Sequence, residues 1–181
     1  SPASSLVVGT HSVYVALNGQ QYVQVPAVAD EWVYYDANFS STALTPHSGP
    51  VGGGTSVSLS GVGFVDTGEM EVSFGAADTD TVNATYVSAE QMSFVTRAFS
   101  LLAGVHSVHV ALNGQQWVEV PLDADTWTLY ELSLASSQLS PHSGPIGGNT
   151  SVSISGIGFA DTAELQVRFG DSEDHTVNGS I

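Results

Sequence analysis

The chain repeats itself every 95 residues, and both of its ends fall in mid-repeat. Pro46-His47-Ser48-Gly49-Pro50 returns as Pro141-His142-Ser143-Gly144-Pro145. Ala16-Leu17-Asn18-Gly19-Gln20-Gln21 returns as Ala111-Leu112-Asn113-Gly114-Gln115-Gln116. Trp32 and Trp127, Phe64 and Phe159, and Phe74 and Phe169 keep the same spacing, so no insertion or deletion separates the copies. Roughly half of the aligned positions are identical, which marks an array of like units. A unit of 95 residues is the size of one small domain. The array, more than any single reaction, is what this sequence has to explain.

Within the unit, side chains alternate with period two. Val57 and Leu59 are interleaved with Ser56, Ser58 and Ser60; Met70, Val72 and Phe74 with Glu69, Glu71 and Ser73. Val108, Val110 and Leu112 alternate with Ser107, His109 and Ala111, as Val13, Val15 and Leu17 do one period earlier. Each strand so formed has one apolar and one polar face, the pattern of two packed sheets. No stretch shows helical periodicity. Asn18-Gly19 and Asn113-Gly114 sit between alternating runs and predict hairpins. Strands of about six residues with turns every 8 to 12 suit an immunoglobulin-like sandwich in each repeat.

The order of the motifs resembles the IPT/TIG domain, an immunoglobulin-like fold. Pro46 to Pro50 is followed by Gly52-Gly53-Gly54-Thr55, Gly61-Val62-Gly63-Phe64 and Val72-Ser73-Phe74-Gly75. The same order recurs as Pro141 to Pro145, Gly147-Gly148-Asn149-Thr150, Gly156 to Phe159 and Val167-Arg168-Phe169-Gly170. The closing part of such a domain, a Val-rich strand, Asn-Gly and an aromatic strand, resembles Val13 to Tyr35 and Val108 to Tyr130. The resemblance implies an all-β chain of tandem IPT/TIG-like sandwiches.

On that phase one complete domain spans residues 37–131. Residues 1–36 read as the closing half of a preceding domain, and 132–181 as the opening half of a following one. A half sandwich exposes on the order of 1,000 Å² of apolar surface, worth roughly 25 kcal/mol. That exceeds the ~5–15 kcal/mol holding a whole domain together, so each half needs completing. The rest of a longer tandem array would do this. So would head-to-tail pairing between copies, a heterologous contact that propagates as a fibre. Two full periods would need nine more residues, the counterparts of Val87 to Val95.

Charge narrows the functional classes. Eighteen acidic residues against two arginines and no lysine give a net charge of −16. Nucleic-acid binding works by neutralising phosphates with Lys and Arg, so DNA and RNA would repel this chain. An anionic membrane surface would do the same, and no apolar run is long enough to insert. The charge instead favours solubility and repulsion between neighbours. The absence of cysteine excludes disulfides, Fe–S clusters and thiol chemistry.

Four of the six asparagines carry the N-glycosylation pattern: Asn38, Asn83, Asn149 and Asn178, with Asn83 and Asn178 one period apart. N-linked glycans coating the array are the expected modification. Acidic loops at Asp78-Thr79-Asp80, Asp171-Ser172-Glu173-Asp174 and Asp123 with Asp125 could offer oxygens to Ca²⁺ at a domain junction. They lack an Asp-x-Asp-x-Asp-Gly loop, so they read first as solvated turns, and no cofactor or metal is assigned. His11, His47, His106 and His142 form two repeat-equivalent pairs, expected of residues copied with a fold. No His-x-x-x-His pair or Gly-x-Ser-x-Gly elbow accompanies them, and no catalytic residue is assigned. Tyr22 and Trp117 are equivalent, and alternation places them opposite Val23 and Val118, where they could contact a carbohydrate or protein or pack on a neighbour.

The sequence therefore points to a non-enzymatic, extracellular or cell-surface array of sandwiches that partners with copies of itself head to tail, as a glycosylated fibril or surface filament. Two alternatives share the fold: an adhesion or ligand-binding ectodomain, and a carbohydrate-binding accessory module in which Trp117 stacks on sugar.

Overall fold

Serine and threonine alternating with valine, leucine and isoleucine favour extended pairing over helix. The computed structural model describes residues 7–26, 31–36, 38–121, 126–162 and 165–181. Among these residues every regular element is a strand, apart from one 3₁₀ turn at Glu173–His175. The first four strands are β1 (Gly9–Ser12), β2 (Tyr14–Val15), β3 (Val23–Gln24) and β4 (Glu31–Tyr34). Next come β5 (Asn38–Thr45), β6 (Ser48–Pro50), β7 (Ser56–Val62), β8 (Glu71–Phe74) and β9 (Thr81–Ser88). They are followed by β10 (Gln91–Val95), β11 (Gly104–His106), β12 (Val108–Ala111), β13 (Trp117–Glu119) and β14 (Trp127–Tyr130). The last four are β15 (Ser133–Ser140), β16 (Ser153–Ile157), β17 (Gln166–Arg168) and β18 (Thr176–Asn178).

The buried apolar side chains run from Leu44 to Leu129 and form one cluster. Alternation puts Val57 and Leu59 of β7, Met92 and Phe94 of β10, Val108 and Val110 of β12, and Trp127 and Leu129 of β14 on its inner face. Phe74 lies at the centre, edge-on to Phe99 (4.9 Å between ring centroids), Trp127 (5.4 Å) and Phe94 (5.9 Å). Such edge-to-face geometry adds to area burial, because each ring's positive edge meets a negative face.

Seven strands run in the order β13-β12-β8-β9-β10-β7-β5, and β11-β14-β6 form a second sheet. The long sheet curls, because β9 serves both of its halves. Thr81 to Asn83 pair with β8, while Ala84 to Ser88 pair with β10. A strand that changes partners midway turns the corner of a sandwich. Both Asn-Gly sites lie in hairpins, β2–β3 and β12–β13, but the loops exceed two residues. The Asn113 carboxamide makes that turn: its Oδ1 accepts from the N–H groups of Gln115 (3.2 Å) and Gln116 (3.1 Å). Asn18 does the same for Gln20 and Gln21 at 3.0 Å each. Side-chain capping of this kind replaces a tight backbone turn.

The chain meets this core at one end of the sandwich and leaves it at the other. Asp36 lies beside Gly63, whose φ of +85° and 2.9 Å approach to the Asp36 carbonyl leave no room for a side chain. Gly63 follows the last residue of β7. Tyr130 accepts a hydrogen bond from the Val51 N–H (2.9 Å), next to the turn in which Gly54 donates to Thr96 (2.7 Å). Thr96 in turn donates to Thr55, immediately before β7. The seven residues of β7 separate the two points by roughly 20 Å.

Candidate assembly interface

Within residues 38–131 the opening and closing parts of the repeat meet. β12 pairs antiparallel with β8, Val108 opposite Phe74, His109 opposite Ser73, Val110 opposite Val72 and Ala111 opposite Glu71. β14 pairs parallel with β6, Thr128 opposite Ser48 and Tyr130 opposite Pro50. The Trp127 indole lies against Gly49, where an added Cβ would come 2.6 Å from its Cζ2. Only glycine admits the ring there.

In the flanking segments the same positions have no such cover. Trp127 is 0% exposed and its equivalent Trp32 is 44%; Val110 is 0% and Val15 50%; Leu112 is 1% and Leu17 101%. On the other side, Phe74 is 0% and Phe169 47%, and Val82 is 6% and Val177 52%. A groove of about 760 Å³ opens over Gly144, lined by Ile154, Val167, Phe169 and Val177. Gly144 is the counterpart of Gly49. Its would-be Cβ meets the Thr150 hydroxyl at 2.6 Å, as that of Gly49 meets Thr55 at 2.7 Å, but no indole lies over it.

The strands themselves record the same gap. Pairings internal to each half are formed: β1–β4 and β2–β3 before the complete domain, β15–β16 and β17–β18 after it. Elements that need the other half are cut back. β12 spans Val108–Ala111, whereas its equivalent β2 keeps only Tyr14–Val15. β8 includes Phe74, whereas β17 stops at Arg168. β6 exists as a strand against β14, but its equivalent, residues 143–145, forms none. Each missing stretch is one whose hydrogen bonds, in the complete domain, go to the opposite half.

Three of the four glycosylation candidates are placed by the structure. Asn83 on β9 and Asn178 on β18 are exposed at equivalent positions, and Asn149 is exposed with a φ of +62°. Its counterpart Gly54 has nothing within 4 Å of a would-be Cβ, so a side chain there points into open space even in the closed domain. The backbone of Asn38 begins β5 opposite Val62, while its side chain lies outside the described residues. Of the two candidate aromatics, Tyr22 is exposed and Trp117 half-buried on β13.

The acidic and histidine positions are occupied locally. Asp80 accepts from the Ser100 N–H (3.0 Å) and lies 3.6 Å from the Arg97 guanidinium, so its carboxylate holds a loop. Ser172 accepts from the Asp174 N–H (3.3 Å) in the 3₁₀ turn. Asp123 and Asp125 lie outside the described residues. Among the described residues no three His, Asp or Glu side chains converge as a metal-ligand set. His11 and His106 each bond through Nε2 to the carbonyl four residues back, Val7 (2.9 Å) and Leu102 (2.8 Å). Burial raises the Tyr35 phenol above its ordinary range, and Tyr35 packs against the core just before the complete domain.

Gly144 and Trp32 are candidate interface residues that motifs alone pass over. The 95-residue register finds them, once Trp127 and Gly49 are seen in contact.

The IPT/TIG domain matches residues 40–123 and again 135–177 of the chain. None of the curated proteins compared with the chain matches it. Among the described residues no helix is long and apolar enough to cross a membrane.

Proposed function

The chain belongs to the IPT/TIG domain family, and we propose that it is a structural subunit of an extracellular, glycosylated fibril or surface filament. Domains of this family are immunoglobulin-like modules, generally non-catalytic and common in cell-surface and extracellular proteins. Residues 37–131 are one complete domain; residues 1–36 and 132–181 are a closing and an opening half. Copies of the chain associate head to tail, each opening half taking the closing half of the next copy. N-glycans at Asn38, Asn83, Asn149 and Asn178 coat the string, and its negative charge keeps neighbouring strings apart.

The observation that carries this reading is the contrast in burial between Trp127 and Trp32, and between Phe74 and Phe169. Fully burying a large apolar side chain is worth about 1.5–3 kcal/mol, and four of the five open positions are already about half buried, so together they favour docking by roughly 5–9 kcal/mol. The halves leave the complete domain at opposite ends of β7, which favours a contact that propagates over one that closes. A carbohydrate-module role draws less support, because Trp117 is half-buried rather than presented. Electron microscopy of the native material tests the reading. Regular fibres with an axial repeat of one or two domains are expected; dispersed single particles would overturn it.

A further inference from the structure

Resting on that head-to-tail reading, we infer that the joint between copies has one defined register, with Trp32 of one copy seated over Gly144 of the next. The complete domain supplies the template: shifting its β12–β8 and β14–β6 pairs by one period in opposite directions gives the joint, while β10 has no counterpart in either half. Val108 opposite Phe74 becomes Val13 opposite Phe169, His109 opposite Ser73 becomes Tyr14 opposite Arg168, and Val110 opposite Val72 becomes Val15 opposite Val167. Thr128 opposite Ser48 becomes Val33 opposite Ser143, which restores the strand that residues 143–145 lack. Trp127 on Gly49 becomes Trp32 on Gly144, filling the open groove.

The occupant is a second copy because its shape and its charge both fit. The groove is the mould of a tryptophan-bearing strand, and in this sequence that strand recurs at Trp32. The docking strand has also shed the acidity of its template. Glu71 is replaced by Gln166 and Ser73 by Arg168, so Val167 is flanked by an amide and a guanidinium. The facing residues, Val13 to Ala16, carry no charge. In a chain with two arginines, one stands on the strand where two copies would meet. The other, Arg97, is used inside the complete domain beside Asp80. A joint between separately made chains gains from this change, because a cation on the docking strand offsets part of the long-range repulsion between two copies of net charge −16.

The native chain has no cysteine, so directed cross-linking reads the register without background. Tyr14 and Arg168 are both exposed, and substituting them leaves the core untouched. Directly opposed residues of an antiparallel pair lie ~4.5–5.5 Å apart at Cα, within disulfide range. A Tyr14→Cys chain mixed with an Arg168→Cys chain under mild oxidation is expected to give a covalent dimer that reductant reverses, whereas either chain alone gives none. Tyr14→Cys mixed with Gln166→Cys, two residues out of register, is expected to stay uncrosslinked. Fibres of the unsubstituted chain without the 14–168 cross-link, or with 14–166 in its place, would overturn the register and leave self-assembly standing. No association of the unsubstituted chain by sedimentation would overturn the head-to-tail reading as well.

Discussion

Replacing tryptophan by alanine at two positions of the repeat separates folding from assembly. Trp127 is fully buried between Phe74 and Gly49. Its Nε1 has no hydrogen-bond partner among the described residues, so truncation orphans no acceptor and the cost is one of packing alone. Removing a buried tryptophan in this way costs about 3–5 kcal/mol. For a domain near 100 residues, 1 kcal/mol moves the midpoint by about 4–8 °C, so Trp127→Ala should lower Tm by at least roughly 12 °C. Trp32 is nearly half exposed in the single chain, and Trp32→Ala should leave the unfolding of the complete domain within about 0.5 kcal/mol.

Assembly should respond in the opposite sense. If Trp32 becomes as buried in the joint as Trp127 is in the domain, docking buries only the exposed 44% of it, so its loss removes about 1–2 kcal/mol from docking. At 1.4 kcal/mol per tenfold, the chain concentration needed for polymerisation rises roughly tenfold. Circular dichroism on dilute chain reads the first effect, and light scattering across a concentration series reads the second. A Trp32→Ala chain that melts as early as Trp127→Ala, or that polymerises at the unsubstituted concentration, refutes the reasoning.

Gly53 has a φ of +75° and its would-be Cβ collides with the Arg97 backbone, whereas Gly148 has nothing within 4 Å. Gly53→Ala should therefore cost roughly 2–5 kcal/mol in urea unfolding, and Gly148→Ala in the single chain only the ~1–2 kcal/mol of its left-handed backbone. Asp80→Ala removes the acceptor of the Ser100 N–H and should cost about 1–2 kcal/mol. Arg97→Ala, whose side chain is half exposed, should cost less than about 1 kcal/mol, and the ordering of the two is readable by chemical denaturation. Mass spectrometry of native material should find glycans at the exposed Asn83, Asn149 and Asn178. Raising ionic strength from about 0.01 to 0.15 M shortens the screening length from about 30 to 8 Å, so deglycosylated fibres should bundle sideways while their lengths persist.

Much of the fold is legible in the sequence because strand alternation is local. Val57 and Leu59, or Val108 and Val110, declare an inner face within a few residues, and the structure buries them there. The family match recurs along the chain, over residues 40–123 and again over 135–177. The division of β9 between two partners is less visible, since nothing in Thr81 to Ser88 says which neighbour each residue will meet. The hairpin loops are longer than Asn-Gly suggests, because the asparagine side chain supplies acceptors that a tight turn would take from the backbone. The proposed docking face is less legible still. Trp32 looks like any core tryptophan, and only its burial relative to Trp127 shows that its core is unfinished.

The same asymmetry explains how a chain with open apolar faces could polymerise without aggregating. Each face carries backbone edges that pair in one sense: antiparallel at Val13 to Ala16, parallel at the strand bearing Trp32. Two opening halves set against each other would oppose Arg168 to Arg168 and leave both Gly144 grooves empty. Two closing halves would bring together two strands of the same kind, with no Gly144 between them. Only unlike halves satisfy the pairing and the packing together, and because they project from opposite ends of the complete domain, each joint leaves one face of each kind open. Growth is then linear. The 18 carboxylate side chains per copy lie mostly outside the docking strands, so they oppose sideways contact far more than end-to-end contact. A variant with Arg168→Glu tests this balance: it replaces the guanidinium of the docking strand by a carboxylate in a chain of net charge −16, and should shorten fibres while leaving the melting of the complete domain unchanged. Fibres of undiminished length in that variant would mean that charge on the joint plays no part in directing growth.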